Sequence, residues 1–288
     1  MSGVYATRSF HALAHDFRVV AESRDVRDYF ESVLSGFPEA DAVDAEYELR
    51  VTGSGEEGER FEIVLDGAAV VSEVSLGVLA GSFVHSLNRR AISSSDDAVV
   101  CHAGGVELDG VGFVFPAHME SGKTTLTTGL VRAGFGYLTD EAVAFEPASC
   151  MIEPFPKPLS IDQGSQFLFP ELEPAPAPGD EQAPDLQWQV PPDTIRPGAV
   201  GRPCIARFIV FPRYDADAAT ELEALSRAST LMELASNTFE FRERARHSLE
   251  VLARVVEGAR GFRLTIGDLH EACVVIADLA GAPELVRV

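Results

Sequence analysis

The chain has 288 residues, of which 46% are hydrophobic and 24% are charged, a balance typical of a folded globular protein that excludes wholesale disorder. Its 45 acidic residues outnumber 23 basic ones and give a formal net charge of −22, which argues against nucleic acid and against an anionic membrane as partners. No window reaches the roughly 18 uninterrupted apolar residues of a membrane span, and the N-terminus does not resemble a secretory leader, so the expected location is the cytoplasm.

The first 95 residues are predicted to form a small α/β subdomain. Hydrophobic spacing predicts strands at 17–21, 47–51 and 61–71, and helices at 25–34 and about 76–90. A serine run followed by two aspartates then indicates a junction to a second domain, residues 96–288.

The second domain is predicted to alternate strands and helices. Strands are expected at 99–102, 105–107, 112–115, about 136–145, 149–153, 207–211 and 262–266. Helices are expected at 121–133, where Gly134 is placed to end the helix, near 229–236 and 241–257, and after Asp268. The proline-rich segment 170–203 holds nine of the seventeen prolines, which predicts an exposed loop or mobile flap.

Two features of the sequence do not support a function. The motif GSGEEG at 53–58 has the spacing of a dinucleotide-binding fingerprint, but strand-like segments lie on both sides where the fingerprint needs a helix, so a hairpin turn is expected. The four cysteines are scattered singly without a C-x-x-C pair, which favours reduced packing thiols over a zinc or redox site.

One motif carries phosphate-binding chemistry. The segment AHMESGKT at 117–124 matches G-x-x-x-x-G-K-S/T, except that Ala117 replaces the first glycine. A predicted strand precedes the segment and a predicted helix follows it, so backbone N–H groups and the helix N-terminus can face phosphates. We expect Lys123 to reach the β- and γ-phosphates and the Thr124 hydroxyl to bind Mg²⁺. The alternative is a chance GKT at the start of an ordinary helix, and Ala117 counts against the loop if its position needs a positive φ.

The candidate nucleotide-binding residues of this loop are Ala117, His118, Met119, Glu120, Ser121, Gly122, Lys123, Thr124 and Thr125. An acidic pair, Asp140 and Glu141, follows Lys123 by seventeen and eighteen residues. A helix and a tight return would place this pair at the end of the next strand, beside the loop. In phosphoryl transfer one such carboxylate holds magnesium and the other accepts the proton of the acceptor hydroxyl. Alone the pair would be read as a solvated strand end, but its spacing from the loop favours catalysis.

The stretch from His102 to Glu141 resembles the catalytic core of the HPr kinase/phosphorylase family, and more closely the HPr-kinase-related proteins outside the carbon-regulation system. The family has a histidine at the first core strand, then the phosphate loop, then a helix end of the Ala-Gly type, then an acidic pair. The resemblance is strongest over 100–160 and weaker toward the C-terminus. It implies an α/β fold with a P-loop kinase core of the HPr kinase/phosphoenolpyruvate carboxykinase type, using ATP and Mg²⁺.

The resemblance also implies a role for each matching residue. Asp140 takes the position of the general base, and Glu141 that of the metal-side acid, where the family has aspartate. Thr124, Glu141 and Asp140 are therefore the expected metal ligands. His102 is expected near the acidic pair and the γ-phosphate, the alternative being a buried histidine bonded within the sheet.

A third segment, PFPKPLS at 154–160, resembles one in the HPr-kinase-related proteins. Its prolines stiffen the backbone around Lys157, which is expected to contact phosphate or substrate, the alternative being a solvent-exposed loop lysine. Four arginines near the proline-rich segment are candidates for a transition-state cation, and nothing in the sequence singles one out: Arg196, Arg202, Arg207 and Arg213.

The chain also departs from the family pattern. Ala117 replaces a glycine, Thr125 stands where the bacterial enzyme has glutamate, and a Met-Glu-Ile-Arg-Gly segment is absent. HPr itself is therefore not the expected acceptor.

The sequence accordingly predicts an ATP- and Mg²⁺-dependent kinase that phosphorylates a hydroxyl, foremost that of Ser or Thr in a peptide or small protein. One alternative is a kinase of small-molecule hydroxyls. Another is a nucleotide-binding module without turnover, which Ala117 and Glu141 favour. The sequence leaves open whether the chain forms a homo-oligomer.

Overall fold

A computed structural model describes residues 3–52, 60–118, 121–180 and 187–286 of the chain. The protein is of the mixed α/β class and divides into two compact units, one of residues 1–94 with 157–194 and one of residues 95–156 with 195–288. One boundary therefore falls at the serine run, and most of the proline-rich segment belongs with the N-terminal residues. No described helix is both long enough and apolar enough to cross a membrane.

The described residues form sixteen strands and eight α-helices. The strands are β1 (Tyr5–Ala6), β2 (Phe10–Ala12), β3 (His15–Ala21), β4 (Ala45–Thr52), β5 (Arg60–Leu65), β6 (Ala68–Glu73), β7 (Val99–Leu108), β8 (Val111–Pro116), β9 (Gly136–Thr139), β10 (Ala142–Phe145), β11 (Met151–Ile152), β12 (Leu159–Asp162), β13 (Gln187–Val190), β14 (Cys204–Tyr214), β15 (Glu221–Leu225) and β16 (Arg260–Ile266). The helices are α1 (Arg24–Val33), α2 (Leu76–Ser93), α3 (Lys123–Ala133), α4 (Gln163–Gln166), α5 (Pro192–Ile195), α6 (Arg227–Ser236), α7 (Ala245–Gly258) and α8 (Leu269–Ala280).

The first unit is built on a six-stranded sheet with the order β1-β3-β4-β5-β6, and β2 pairs with β3. Buried aromatic rings from β3, β4 and α2 form its core, where Phe17, Tyr47 and Phe83 pack edge to face. The predicted strands and helices of this unit are confirmed, except that 61–71 forms two strands. Asp66 and Gly67, both at positive φ, make the turn between them.

The strands that flank the GSGEEG motif are confirmed. β4 and β5 pair antiparallel up to Thr52 and Arg60, as a hairpin requires. The motif itself lies at 53–58, outside the described residues.

The prediction of an exposed loop over 170–203 is wrong for residues 187–190. These residues form β13, which pairs antiparallel with β12 and buries Trp188 and Val190. The strand has only four residues and is followed by two prolines, so the proline content concealed it. The described residue Asp180 also has a partner, because its Oδ2 accepts hydrogen bonds from the Ser75 hydroxyl and the Gly77 N–H at the start of α2.

The second unit is built on an eight-stranded sheet with the order β11-β10-β7-β8-β14-β16-β15, and β9 pairs with β7. β8, β14 and β16 run parallel, whereas β7 runs antiparallel to β8, β9 and β10. A buried cluster joins the sheet to α6 and α7 and includes Val99, Val143, Leu234 and Leu252. Because β8 leads into α3, the first turn of α3 lies at the end of a central strand.

The predicted helices of the second unit are confirmed. Its predicted strands are confirmed too, except that 99–102 and 105–107 form one strand, β7, and that 136–145 is divided into β9 and β10. β15 was not predicted, because its sequence ELEAL has residues typical of a helix and the strand lies exposed at the sheet edge beside β16. Gly134 ends α3 in the left-handed conformation, as expected. The four cysteines are free, and burial raises the pKa of the Cys101, Cys204 and Cys273 thiols to about 12.

A glycine in β7 allows α3 to approach the sheet closely. A Cβ atom at Gly104 would lie only 2.7 Å from the Thr127 hydroxyl oxygen of α3. A larger residue at 104 would therefore require the Thr127 side chain or α3 to shift. The glycine thus allows close packing between β7 and α3.

Candidate functional site

Two described backbone features of the loop between β8 and α3 agree with the phosphate-binding motif. Gly122 precedes the helix with a φ of 87°, a conformation that other residues adopt only with strain. Ala117 is not among the described residues with positive φ, so alanine causes no strain where the motif has its first glycine. The Leu126 N–H donates to the Gly122 carbonyl, so regular helical bonding begins at once and the preceding N–H groups point toward the loop. Two candidate residues of the loop, Met119 and Glu120, lie outside the described part of the chain.

The Lys123 side chain is buried and bonds to the backbone at the start of this loop. Its side chain is 6% exposed, and its Nζ donates hydrogen bonds to the carbonyls of Ala117 at 2.8 Å and His118 at 2.7 Å. The Ser121 hydroxyl also donates to the His118 carbonyl. Burial lowers the pKa of Lys123 to about 8, although the carboxylates of Glu141 and Asp140 oppose the shift. The ammonium is therefore charged at pH 7 and lies at the positive end of α3, which is a strong attraction for an anion.

The acidic pair lies where β9 passes into β10 along β7. Thr139 is paired with Gly105 and Ala142 with His102, so Asp140 and Glu141 fall in the interruption between the two strands. The Thr139 hydroxyl accepts hydrogen bonds from the N–H groups of residues 141 and 142 and so shapes this turn. The structure thus brings the acidic pair beside the loop, as the spacing in the sequence predicted.

Asp140 is held by two hydroxyl groups. Its side chain is 3% exposed, its Oδ2 accepts a hydrogen bond from Thr124 Oγ1 at 3.1 Å, and its Oδ1 accepts one from the Tyr137 hydroxyl at 2.8 Å. Burial and the neighbouring Asp140 carboxylate raise the pKa of Tyr137 well above its ordinary value. Tyr137 therefore keeps its proton and donates to Asp140 throughout the physiological pH range.

His102 lies in β7 opposite the acidic pair. Its Nε2 is 3.8 Å from Glu141 Oε1, and its ring packs 5.8 Å from that of Phe239. Burial lowers the pKa of His102 to about 4, and electrostatic interactions with Lys123 and His118 act in the same direction, whereas Asp140 opposes them. The imidazole is therefore neutral at pH 7.

Lys157 belongs to the first unit, whereas the loop and the acidic pair belong to the second. Its side chain is only 1% exposed, so the alternative of a solvent-exposed loop lysine is wrong. Its ammonium donates to the Pro158 carbonyl at 2.9 Å and to the Ser160 hydroxyl at 3.4 Å.

The structure gives contacts for the four arginines that were candidates for a transition-state cation, and it argues against Arg196. Arg196 donates to the carbonyls of Val131, Gly134 and Phe135, which places it at the C-terminal end of α3, away from the phosphate-loop end. Arg207 bonds the Gly258 carbonyl, and Arg213 lies 3.8 Å from the Asp215 carboxylate. The backbone N–H of Arg202 donates a hydrogen bond to the Glu107 carboxylate.

The residues present fit magnesium with a phosphate ligand. Within the described ranges, no group of three or more His, Cys, Asp and Glu residues is arranged to hold a metal ion. Mg²⁺ in nucleotide sites, however, is commonly bound through one or two protein oxygens together with substrate phosphates and water. Thr124 Oγ1 and Asp140 Oδ2 lie within hydrogen-bond distance of each other, so one cation could take both as ligands.

Some residues at this site were not predicted. Tyr137 lies three residues before Asp140 in a strand, where an aromatic residue is usually a core residue. Asn237 and Phe239 reach the site from the turn after α6, and the Asn237 carbonyl accepts from the His102 N–H at 2.7 Å. No local sequence signal connects these distant segments with β7.

No protein-family model matches the chain, and no curated protein matches it.

Proposed function

We propose that the chain is an ATP- and Mg²⁺-dependent phosphotransferase with a P-loop kinase core, which phosphorylates a hydroxyl group, foremost that of Ser or Thr in a peptide or small protein. The observation that carries this proposal is the 3.1 Å hydrogen bond between Thr124 Oγ1 and Asp140 Oδ2. It joins the residue expected to bind magnesium to the residue expected to act on the acceptor. A chance GKT sequence at the start of a helix would have no reason to meet a buried carboxylate sixteen residues later.

In this proposal the triphosphate is bound by the loop and the start of α3. The N–H groups of the first turn, the positive helix end and the Lys123 ammonium together bind the phosphate oxygens. Thr124, Asp140 and Glu141 supply the oxygens for magnesium, which neutralises phosphate charge when it is bound. Catalysis then depends on positioning and charge neutralisation, since phosphoryl transfer needs little covalent help from the protein.

Asp140 is the proposed general base. Tyr137 and Thr124 fix the orientation of its carboxylate, so the oxygens need no reorganisation before they accept the proton of the acceptor hydroxyl. Glu141 is the proposed metal-side acid. His102 lies 3.8 Å from the Glu141 carboxylate. Because its imidazole is neutral, it does not neutralise the negative charge of Glu141, which stays available for the metal.

The net charge of −22 bears on the acceptor. A strongly acidic surface attracts cationic ligands and repels other polyanions. The proposed acceptor is therefore an uncharged or basic segment that presents a hydroxyl.

The experiment is a transfer assay with ATP labelled at the γ-phosphate, Mg²⁺ and the full chain, against panels of basic Ser/Thr peptides and of small hydroxyl compounds. Asp140→Asn is the matched control. We expect label to pass to peptides with the wild type and much less with the control. Transfer only to small compounds would replace the acceptor class but keep the reaction. Tight binding of Mg–ATP without transfer to any acceptor or to water would contradict the kinase proposal and indicate a nucleotide-binding module.

A further inference from the structure

One strand beside the loop takes no part in the chemistry proposed above. β14 runs parallel to β8, with Ile205 opposite Val111 and Ile209 opposite Val114, so both strands end at the same edge of the sheet. β14 continues beyond the end of β8 and stays paired with β16 as far as Tyr214 and Ile266. Its last residue, Tyr214, is thus fixed by sheet pairing at the level of the phosphate loop.

Tyr214 lies next to the residue that precedes Lys123. A Cβ atom built on Gly122 would be 3.6 Å from the Cβ of Tyr214, so the two backbones are side by side. The residue is 58% exposed, and in the described part of the second unit it is the one aromatic among the exposed large hydrophobic residues. A single exposed aromatic ring does not by itself indicate a binding site, but this one lies beside the candidate phosphate loop.

The two neighbours of β8 divide the site into two sides. On the β7 side lies Asp140, which accepts a hydrogen bond from Thr124, so the proposed function puts the reacting end of a triphosphate on that side. In that arrangement the nucleoside, at the other end of the triphosphate, leaves the loop away from the acidic pair. Tyr214 lies on that opposite side, at the end of β14.

We infer that Tyr214 stacks against the base of the bound nucleotide and makes the site selective for a nucleoside triphosphate over a bare polyphosphate. This inference rests on the proposed function. Aromatic stacking tolerates different bases because every base has a π-face, so the expected ligand class is nucleoside triphosphates in general. Because the backbone of Tyr214 is held by strand pairing, less conformational entropy is lost when a ligand orders its ring.

The test measures binding of two probes, Mg–ATP and Mg–tripolyphosphate, to the full chain by isothermal titration calorimetry. Tyr214→Ala should weaken Mg–ATP binding by about 10- to 100-fold, the range for loss of one base–aromatic stack, and should leave Mg–tripolyphosphate binding unchanged. Tyr214→Phe should bind both probes like the wild type. Phe167→Ala, which removes a ring that is 74% exposed in the first unit, is the matched control and should change neither affinity.

Two results would overturn the inference while leaving the phosphate site in place. One is Mg–ATP binding unchanged in Tyr214→Ala, and the other is an equal loss for both probes. A wild-type chain that binds neither probe would instead overturn the proposed function, and the inference would fall with it.

Discussion

The chain has two lysines, and both are buried in very different surroundings. Lys123 opens α3 and is surrounded by ionisable groups, because Asp140, Glu141 and His102 all interact with it electrostatically. Lys157 precedes the short strand β12, and its described hydrogen-bond partners are a carbonyl and the Ser160 hydroxyl, both neutral.

The contrast bears on which of the two buried lysines would contact phosphate in the proposed function. Both ammonium groups donate to nearby backbone carbonyls, so those hydrogen bonds do not separate them. Lys123 in addition shares its position with the positive end of a helix, which is unfavourable for a cation unless an anion is also bound. Lys123 is therefore the phosphate-contacting lysine in our account, and for Lys157 a contact with phosphate or substrate stays a prediction.

The largest expected effect is that of Lys123→Ala. Phosphate transfer should fall to background, and Mg–ATP affinity should weaken by about 10- to 100-fold, the usual range for a lost charge-assisted hydrogen bond. The measurements are the labelled-ATP assay and calorimetry.

Lys157→Ala is the matched comparison for this prediction. It should weaken Mg–ATP binding less than Lys123→Ala does. It should also lower the free energy of unfolding by about 1–3 kcal/mol, because the Pro158 carbonyl and the Ser160 hydroxyl lose a buried donor. Equal losses of affinity in the two variants would remove the distinction between the lysines.

The next effect concerns Asp140 and Glu141, the acidic residues whose charges act on Lys123. Asp140→Asn keeps a carbonyl oxygen for the metal but removes the base, so it should weaken Mg–ATP binding far less than transfer, whose rate should fall by about 10²- to 10⁴-fold. Glu141→Gln should instead raise the magnesium concentration needed for half-maximal transfer by about tenfold. Titrations of binding and of transfer against magnesium separate the two roles. A fully active Asp140→Asn would show that the proton leaves by another route.

The pH dependence of binding sharpens the comparison further. Burial lowers the pKa of Lys123 to about 8, and only the protonated amine pairs with phosphate. Mg–ATP affinity should therefore be highest below pH 8 and fall by up to about tenfold per pH unit above it, as binding takes up one proton. Calorimetry between pH 7 and 9.5 in buffers of different ionisation enthalpy detects this proton. Lys123→Ala should bind Mg–ATP without taking up a proton. If the wild type also took up no proton, Lys123 would not be the lysine that contacts phosphate.

The smallest expected effect is on stability in acid. The pKa of His102 is lowered from 6.5 to about 4 in the folded chain, so between these values the unfolded chain binds a proton that the folded chain does not. Its contribution to stability is present above pH 6.5 and lost as the pH falls toward 4. Between pH 7 and 4.5 the free energy of unfolding, measured with urea, should therefore fall by about 1–2 kcal/mol less in His102→Gln than in the wild type. His270→Gln, an exposed change in α8, should behave like the wild type.

Local signals in the sequence predicted most elements of the fold. The helix α3 was placed by its apolar spacing and by Gly134, which ends it. The strands β12 and β13 could not be foreseen, because each has four residues and they pair across an intervening proline-rich stretch. β15 was missed because Glu and Leu favour helices when nothing else is known, and only the neighbouring β16 gives this segment its conformation.

The candidate site was predictable where residues are close in sequence or regularly spaced. The position of Asp140 beside the loop followed from one helix and one return, and the structure adds its hydrogen bond with Thr124. The hydrogen bond from Tyr137 and the position of Tyr214 depend on strand register and on which strands are neighbours, which the sequence does not display. The burial of Lys157 was likewise not visible, since a lysine between prolines usually indicates an exposed loop.

The most direct test of the central claim is a crystal structure of the full chain with Mg²⁺ and a non-hydrolysable ATP analogue. Our account predicts the γ-phosphate within hydrogen-bond distance of Lys123 Nζ and the metal bound to the oxygens of Thr124 and of the acidic pair. A nucleotide found elsewhere, or one whose phosphates leave Lys123 bonded to the carbonyls of Ala117 and His118, would contradict it.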